Sequence, residues 1–274
     1  MNNFMRAVAL GASVLVTGAA HAALAFDQNV TPGVIFGNGN ANGGFTVATN
    51  GGVELGLRAK LRHDPANGGA PQNIFNSNGD GSYSFAAGAW TGSGGGPTTA
   101  YWSVEFSINT NTSGTNGLQL DDLTYEFGRD TDPTAAGQSY LTGDPINVAF
   151  ADHGMGDNTT VQCNGTNSNP GCHDTRNMST SPADYVADIA VYNVAQNSAK
   201  AHWLLGGGFN PTVDGTYDFY LTAYRGTGQN RTLVASTNIS VIVGDGNRVP
   251  TPGTLALTGL ALAGLAAGAR WRKA

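Results

Sequence analysis

Charged residues are scarce in this chain. They make up 12% of its 274 residues, and the 19 acidic residues outnumber the 13 basic ones. Such a composition is poor for a helical bundle or for most cytosolic enzymes. Its acidic balance repels phosphate backbones, so we expect no nucleic-acid partner. Glycine is abundant instead, with 40 residues, and asparagine, serine and threonine accompany it. This composition suits an extracellular β protein with many turns.

Recognisable catalytic and metal-binding motifs are also missing. The chain has no Gly-x-Ser-x-Gly elbow, no His-Glu-x-x-His pair and no nucleophile tied to a base. Residues 76–81 match the first half of a calcium loop, but Ala87 stands where such a loop needs a bidentate glutamate. The pairs Asp152-His153 and His173-Asp174 are adjacent in sequence, which points their side chains to opposite faces of a strand. We therefore predict no enzymatic activity, no cofactor and no bound metal, and interpret residues 76–81 as a β-turn.

Cysteine is limited to Cys163 and Cys172. Outside the cytoplasm an even cysteine count favours a disulfide, and two cysteines allow a single pairing. The loop between them is short, so the bridge would stabilise the protein by at most about 3 kcal/mol by the loop-entropy estimate. A metal site that also uses His153 and His173 is the alternative, although the chain lacks a Cys-x-x-Cys pair.

Long apolar runs occur at the two ends of the chain. At the N-terminal end Arg6 precedes an apolar stretch at residues 7–19, and Ala20-His21-Ala22 has small residues at the two positions that matter for cleavage. This arrangement predicts a secretory signal peptide at residues 1–22, cut between Ala22 and Ala23 after passage through the Sec translocon.

The C-terminal segment, residues 248–274, has three parts. A proline-rich break is followed by an uncharged apolar run at residues 254–269 and by a basic stop. The break consists of Val249, Pro250, Thr251, Pro252 and Gly253, and the basic stop contains Arg270, Arg272 and Lys273. Proline ends regular structure, while the apolar run and its basic flank predict a transmembrane helix with a cytoplasmic end. Sixteen helical residues rise about 24 Å, which is short for a hydrocarbon layer of roughly 30 Å.

This tail resembles the PEP-CTERM sorting domain of bacterial exported proteins, also described as an ice-binding protein C-terminal domain. The resemblance covers about a tenth of the chain and departs from the family at Thr251, where a glutamate is usual. It implies that an exosortase, a membrane-embedded cysteine peptidase, recognises residues 249–253 and cuts or transfers there. It also implies an association with exopolysaccharide and biofilm, with an inner-membrane precursor and a processed form at the cell surface or outside the cell. A permanent membrane anchor is the alternative.

Between the two ends, residues 23–247 form the predicted exported domain. The predicted mature chain, residues 23–251, has nine basic and nineteen acidic residues and so a net charge of about −10. Its dominant hydrophobic period is two. Residues 53–61 alternate apolar with polar side chains, which predicts a strand with one core face and one wet face. The pattern recurs at residues 102–108, 217–223 and 233–243. A further alternation over residues 118–127 changes phase by one residue at Asp121-Asp122, where we expect a bulge. Weaker strands are predicted at residues 34–36, 45–48, 83–86, 146–150 and 201–205.

One segment departs from the strand pattern. Ser181, Pro182 and Asp184 are typical of a helix start, and they predict a short helix over residues 182–192, with a strand as the competing interpretation. The whole pattern predicts an all-β fold. We expect an antiparallel β-sandwich of the jelly-roll or immunoglobulin-like kind with one short helix, an N-terminal signal helix and a C-terminal transmembrane helix.

Four aromatic residues, Trp90, Tyr101, Tyr220 and Tyr224, are candidates for a platform that stacks on sugar rings. Our leading hypothesis from the sequence is an exported cell-surface or extracellular-matrix protein. A carbohydrate-binding module on a β-sandwich is the alternative, and a secreted enzyme is a third.

Overall fold

The computed structural model describes residues 22–37, 39–134, 138–147, 153–162, 173–174 and 182–246. Across these ranges the protein is mostly β, with twelve strands and two short α-helices. The strands are β1 (Ala25–Gln28), β2 (Phe45–Asn50), β3 (Val53–Leu61), β4 (Ser82–Phe85), β5 (Trp102–Asn109), β6 (Thr124–Asp130), β7 (Tyr140–Gly143), β8 (Gly154–Gly156), β9 (His173–Asp174), β10 (Val194–Lys200), β11 (Gly215–Arg225) and β12 (Thr232–Val243). The helices are α1 (Pro182–Ile189) and α2 (Ala201–Leu205).

The strands form two sheets. One has seven strands in the order β1-β2-β3-β5-β10-β8-β9, and the other has five in the order β4-β12-β11-β6-β7. All neighbours are antiparallel except β4 and β12, whose register runs parallel from Ser82 opposite Ser240 to Phe85 opposite Val243. The expectation of purely antiparallel sheets is therefore wrong at this pair. A parallel pair needs a long crossover connection, and the seven other strands that separate β4 from β12 in the chain supply it.

The main core lies between the sheets. It is built from the apolar sides of the alternating strands, so the period-two strands predicted at β3, β5, β11 and β12 are confirmed. Trp102 of β5 is 1% exposed. Its ring contacts four aromatic rings at centroid distances of 5.8–6.3 Å: Phe85, Phe209, Tyr217 and Phe219. This aromatic cluster joins the two sheets at the centre of the core.

The outer face of the seven-stranded sheet is buried, whereas the alternation predicted that it would be wet. Its shielded polar side chains include Glu54, Arg58, Lys60, Ser103, Glu105, Ser107, Asn109 and Gln196. Residues 30–37 and 39–44 cover this face and are held by the sheet's side chains. The amide of Gln196 donates to Gly33 O at 2.7 Å and accepts from Ile35 N at 2.8 Å. The polar face is buried because the covering segment supplies main-chain partners for it.

Several weaker predictions are resolved by the structure. The strands at residues 45–48 and 83–86 are confirmed as β2 and β4, and the helix is confirmed as α1, which ends at Ile189. Residues 34–36 are not a strand, and residues 201–205 form α2 with Ala201 and Leu205 buried one helical turn apart. The slip near Asp121-Asp122 is a 3-10 turn at Leu120–Asp122 instead of a bulge, because the Asp122 carboxylate accepts from Gln119 N and closes the turn.

Some predictions fall on residues that the structure does not describe. These include most of the signal peptide, Cys163 and Cys172, residues 148–150 of a weak strand, residues 249–253 of the sorting motif, and Arg270, Arg272 and Lys273. Ala22 and Ala23 are the first two described residues. In the described ranges, no helix combines the length and the apolar character that crossing a membrane requires. The predicted transmembrane helix lies outside those ranges and gains no support from them.

Candidate functional site

The outer surface of the five-stranded sheet carries a cluster of tyrosines and polar side chains, which we name the tyrosine face. It consists of Tyr140, Tyr220, Tyr224, Glu126, Asp218 and Arg231. Strand geometry explains its composition, because successive side chains of a strand point to opposite faces. In β11, Tyr217, Phe219, Leu221 and Ala223 are buried in the core. Tyr220 and Tyr224 alternate with them, so they point outward.

Tyr220 lies at the centre of this face and packs against the neighbouring strand. It is directly opposite Gly128 of β6. A Cβ atom on Gly128 would lie 2.0 Å from Cε1 of the Tyr220 ring, so the ring occupies space that only glycine leaves open. Tyr140 of β7 meets the same ring edge-on, with the centroids 5.1 Å apart and the planes at 64°. Tyr140 is 37% exposed, so the two rings present a fixed aromatic surface to solvent.

A hydrogen-bond network fixes the Tyr220 ring. Its hydroxyl donates to Glu126 Oε1 at 2.6 Å, and Arg231 Nη2 donates to Glu126 Oε2 at 3.0 Å. The Arg231 guanidinium also lies 3.9 Å from the centre of the Tyr224 ring. The hydrogen bond from Tyr220 lowers the pKa of Glu126, helped by Arg231 and opposed by burial. Burial and the Glu126 carboxylate raise the pKa of Tyr220. At neutral pH the face therefore presents an ionised acceptor beside a neutral phenol.

A second polar network lies on the same strand, two residues before Tyr220. Asp218 Oδ1 accepts from Ser240 Oγ at 2.5 Å, and Asp218 Oδ2 accepts from Gln138 Nε2 at 2.9 Å. Carboxylates have about four lone-pair positions and guanidinium has five N–H donors, so both networks keep capacity for a ligand. The tyrosine face thus combines aromatic ring surface with flanking acceptors and donors, which is what recognition of a polyhydroxylated ring requires.

A cavity of about 260 Å³ opens at the edge between the sheets. Val104, Phe106, Phe127, Ala199 and Leu204 form its apolar walls, and Arg129, Asp144, His153 and Asn197 are among its polar lining residues. This volume is below the roughly 300–1,000 Å³ that small-molecule sites usually have. It is therefore a secondary candidate.

The cavity's histidine is engaged by neighbouring groups. His153 Nε2 donates to Pro145 O at 2.5 Å, and Nδ1 accepts from Asn197 Nδ2 at 3.1 Å. Both ring nitrogens of His153 are therefore occupied. His153 would have to lose one of them before it could ligate a metal or act as a base.

The four aromatic residues proposed from the sequence do not form one platform. Tyr220 and Tyr224 share the tyrosine face, whereas Trp90 stacks on His63 at the other sheet, with ring centroids 5.8 Å apart. Tyr101 directly precedes β5, and its carbonyl accepts from the backbone N–H groups of Arg62 and His63. Tyr140 was missed, because its strand is four residues long and exposed at every position, which leaves no alternation to detect.

Asp80, considered from the sequence as part of a calcium loop, has a structural role. In residues 76–81 the Asp80 carboxylate accepts from Ser82 N at 2.9 Å and from Ser82 Oγ at 2.6 Å, which closes the turn predicted there. Within the described ranges, no group of three or more His, Cys, Asp or Glu side chains is arranged to hold a metal ion.

Comparisons with protein-family models, with curated proteins and with solved structures found no match to this chain.

Proposed function

We propose that this chain is an exported cell-surface or matrix protein whose β-sandwich domain binds a glycan through the tyrosine face. The observation that carries this proposal is the Tyr220 ring, which lies against Gly128 and is flanked by Glu126 and Tyr140. An aromatic ring fixed in this way offers an apolar surface to the apolar side of a sugar ring. Glu126, Asp218 and Arg231 would then bond the sugar hydroxyls.

The ends of the chain supply the rest of the proposal. The signal peptide at residues 1–22 would direct export through the Sec translocon. The tail at residues 248–274, by its resemblance to PEP-CTERM sorting domains, would make the precursor a substrate of an exosortase. That resemblance also suggests an exopolysaccharide as the glycan encountered at the cell surface. The low charge and many glycine turns of the domain are in keeping with such an environment.

The test is glycan binding by the purified exported protein, measured on a glycan array and then by calorimetry with the best neutral glycan. We expect Tyr220→Ala to weaken binding by about 5- to 10-fold, because it removes the stacking surface. Tyr220→Phe keeps the ring and loses the hydrogen bond to Glu126, so it should retain part of the affinity.

Phe26→Ala is the matched control. Phe26 is 36% exposed, close to the 37% of Tyr140, but it lies on edge strand β1 of the other sheet. Binding by Phe26→Ala should equal that of the parent. Thermal unfolding of each variant separates loss of the site from loss of the fold. A parent protein that binds no glycan, or a folded Tyr220→Ala variant that binds like the parent, would overturn the proposal.

A further inference from the structure

A group of cations and tryptophans lies at one end of the seven-stranded sheet, away from the tyrosine face. We name it the basic patch: Arg62, His63, Lys200, His202, Trp90 and Trp203. Sheet topology brings these residues together. β3 and β10 both pair antiparallel with β5, so they run in the same direction and their C-terminal ends lie at the same end of the sheet. Lys60 of β3 and Lys200 of β10 are both opposite Ser103, and Arg62 follows two residues after Lys60.

The side chains confirm that the two strand ends meet. Arg62 Nη1 reaches across β5 and donates to Ser198 Oγ at 3.1 Å. Lys200 Nζ donates to Gly94 O at 2.6 Å and lies 5.3 Å from the centre of the Trp203 ring. Trp203 is 61% exposed. An exposed indole and two cations therefore share one small surface in a protein whose overall charge is negative.

No carboxylate neutralises this surface within the described part of the chain. Arg62 and Lys200 form no ion pair there, since the three ion pairs found join Arg58, Lys60 and Arg231 to glutamates. The adjacent Asp64 is committed elsewhere, because it accepts from Ala66 N and from the Asn67 amide. Burial lowers the pKa of His63 most, the hydrogen bond to Gly69 opposes it, and the charged groups that act on the ring, Lys200, Arg62 and His202, lower it further.

Both histidines of the patch have an unused ring nitrogen. His63 is 8% exposed, and its Nε2 atom is buried with no hydrogen-bond partner in the described structure. His202 Nδ1 is in the same condition. His63 Nδ1 faces the carbonyl of Gly69 at 3.4 Å and so carries the proton, which leaves Nε2 as an acceptor. Buried acceptors without partners are costly, so His63 Nε2 is an uncompensated polar atom beneath this patch.

Trp90 and its loop complete the patch. Trp90 is stacked on His63 with the ring planes 7° apart. The following loop folds back over the indole, since a Cβ on Gly92 would lie 2.3 Å from Cζ2 of the Trp90 ring. Lys200 holds this loop through Gly94. The loop, the tryptophans and the cations are thus connected by direct contacts.

We infer that the basic patch is a second binding site that takes an acidic polysaccharide, with a carboxylated sugar stacked on Trp203 and its carboxylate beside Lys200 and Arg62. After their present contacts, Lys200 keeps two N–H donors and Arg62 keeps four for such a carboxylate. An indole face suits the apolar side of a sugar ring. This site is independent of the tyrosine face and of the neutral glycan proposed for it.

The test uses the purified exported protein and polygalacturonate, a polymer of carboxylated sugar, with dextran as the neutral comparison. We expect the parent to bind polygalacturonate and to lose affinity as sodium chloride rises from about 0.02 M to about 0.15 M, because the exposed charges become screened. The double variant Arg62→Gln/Lys200→Gln and the single variant Trp203→Ala should each weaken this binding by about tenfold. Arg225→Gln, an exposed cation at the end of β11, is the matched control and should bind like the parent.

The outcomes separate the two sites. Tyr220→Ala should leave polygalacturonate binding unchanged, whereas the patch variants should leave the neutral glycan of the tyrosine face unchanged. Loss of polygalacturonate binding in Tyr220→Ala, or its retention in a folded Arg62→Gln/Lys200→Gln variant, would overturn the inference. Equal binding of polyphosphate and polygalacturonate would also overturn it, since it would show a site for negative charge without sugar recognition.

Discussion

Arg58 donates from Nε to Oε2 of Glu105 at 2.6 Å, and both side chains are almost completely shielded from solvent. The two residues are directly opposite each other on β3 and β5. The guanidinium is held between the rings of Phe45 and Phe75, 4.1 and 4.2 Å from their centres. Lys60 Nζ lies 3.9 Å from the other carboxylate oxygen. The buried carboxylate of Glu105 therefore interacts with two cations, Arg58 and Lys60.

This arrangement predicts that Glu105→Gln destabilises the protein strongly. Removal of one partner leaves buried cations without compensation, which typically costs about 3–5 kcal/mol. Denaturant unfolding of the purified protein measures the loss. Glu126→Gln is the matched control, because its ion pair with Arg231 is 26–40% exposed and such pairs contribute about 0–1 kcal/mol. Equal losses in the two variants would show that the buried pair is not a special determinant of stability.

Glu54 makes stability depend on pH in the direction opposite to that of a carboxylate whose pKa is lowered by folding. Burial raises its pKa above the ordinary value, although the backbone N–H and hydroxyl of Thr31 bond to it and lower it. Between the unfolded and the raised folded pKa, the folded state binds more protons, so stability falls as pH rises through this window. Glu54→Gln removes the buried charge and keeps an acceptor for Thr31 N. We expect an unchanged or higher Tm at pH 7, and a smaller difference towards about pH 4.

Glu126→Gln is the comparison variant, because we expect it to change stability with pH in the opposite direction to Glu54→Gln. The pKa of Glu126 is lowered in the folded state, so its contribution is present above the unfolded pKa and is lost as pH falls. Its substitution should lower Tm at pH 7 and become neutral in acid. Parallel pH profiles for the two variants would contradict the electrostatic explanation.

The sequence predicted the apolar, core-facing side of the strands well, but it did not predict that their polar side is also buried. Alternation in β3, β5, β11 and β12 is a direct readout of one apolar face. It does not show that residues 30–37 and 39–44 cover the opposite face. The sequence pattern of polar residues is the same whether they bond to water or to a covering segment. β10 was missed for the same reason. Its residues Gln196, Asn197 and Ser198 are polar, yet it is an internal strand between β5 and β8.

The candidate site was predictable to a similar extent. Tyr220 and Tyr224 share a face because they alternate with the buried residues of β11, which the sequence shows. Their partners come from β6 and β7, and strand pairing at such a distance is set by the tertiary fold. The close approach of Gly128 to Tyr220 carries no local signal, since 39 other glycines occur in the chain.

The two cysteines should form a disulfide after export. The intact mass of the exported protein under non-reducing conditions should then be two hydrogens lower than that of the reduced form, and alkylation should label no thiol. Cys163→Ser should cost less stability than Trp102→Ala, which removes a ring that contacts four other aromatic rings and should cost about 3–5 kcal/mol. Two alkylated thiols in the exported protein would contradict the pairing.

The predicted signal peptide implies a particular mature N-terminus. Because Ala20-His21-Ala22 places small residues at the cleavage positions, the secreted protein should begin at Ala23. Ala25, where β1 begins, is only two residues further on. N-terminal sequencing measures this directly, and a secreted chain that retains residues 1–22 would show that the segment is no signal peptide.

The predicted sorting tail implies different effects for substitutions in its proline-rich break and in its basic stop. Replacement of Pro250 and Pro252 by alanine should leave membrane insertion intact and block processing, because the residue before each proline is held in an extended form that an enzyme cleft can grip. A full-length membrane-bound precursor should accumulate, detectable by fractionation and immunoblotting. Neutral replacements of Arg270, Arg272 and Lys273 should instead weaken retention and orientation. Normal release of the proline variant would favour a simple anchor.

The parallel pairing of β4 with β12 has a consequence for how the protein is made. β12 is the last strand among the described residues, yet it lies inside the five-stranded sheet between β4 and β11 and also contacts β2 and β3 of the other sheet. A chain that emerges N-terminus first exposes the open edges of β4 and β11 until residues 232–243 arrive. Such long-range pairing folds slowly and leaves edges open to aggregation. We therefore expect partly synthesised chains that lack residues 232–243 to aggregate more readily than the full chain.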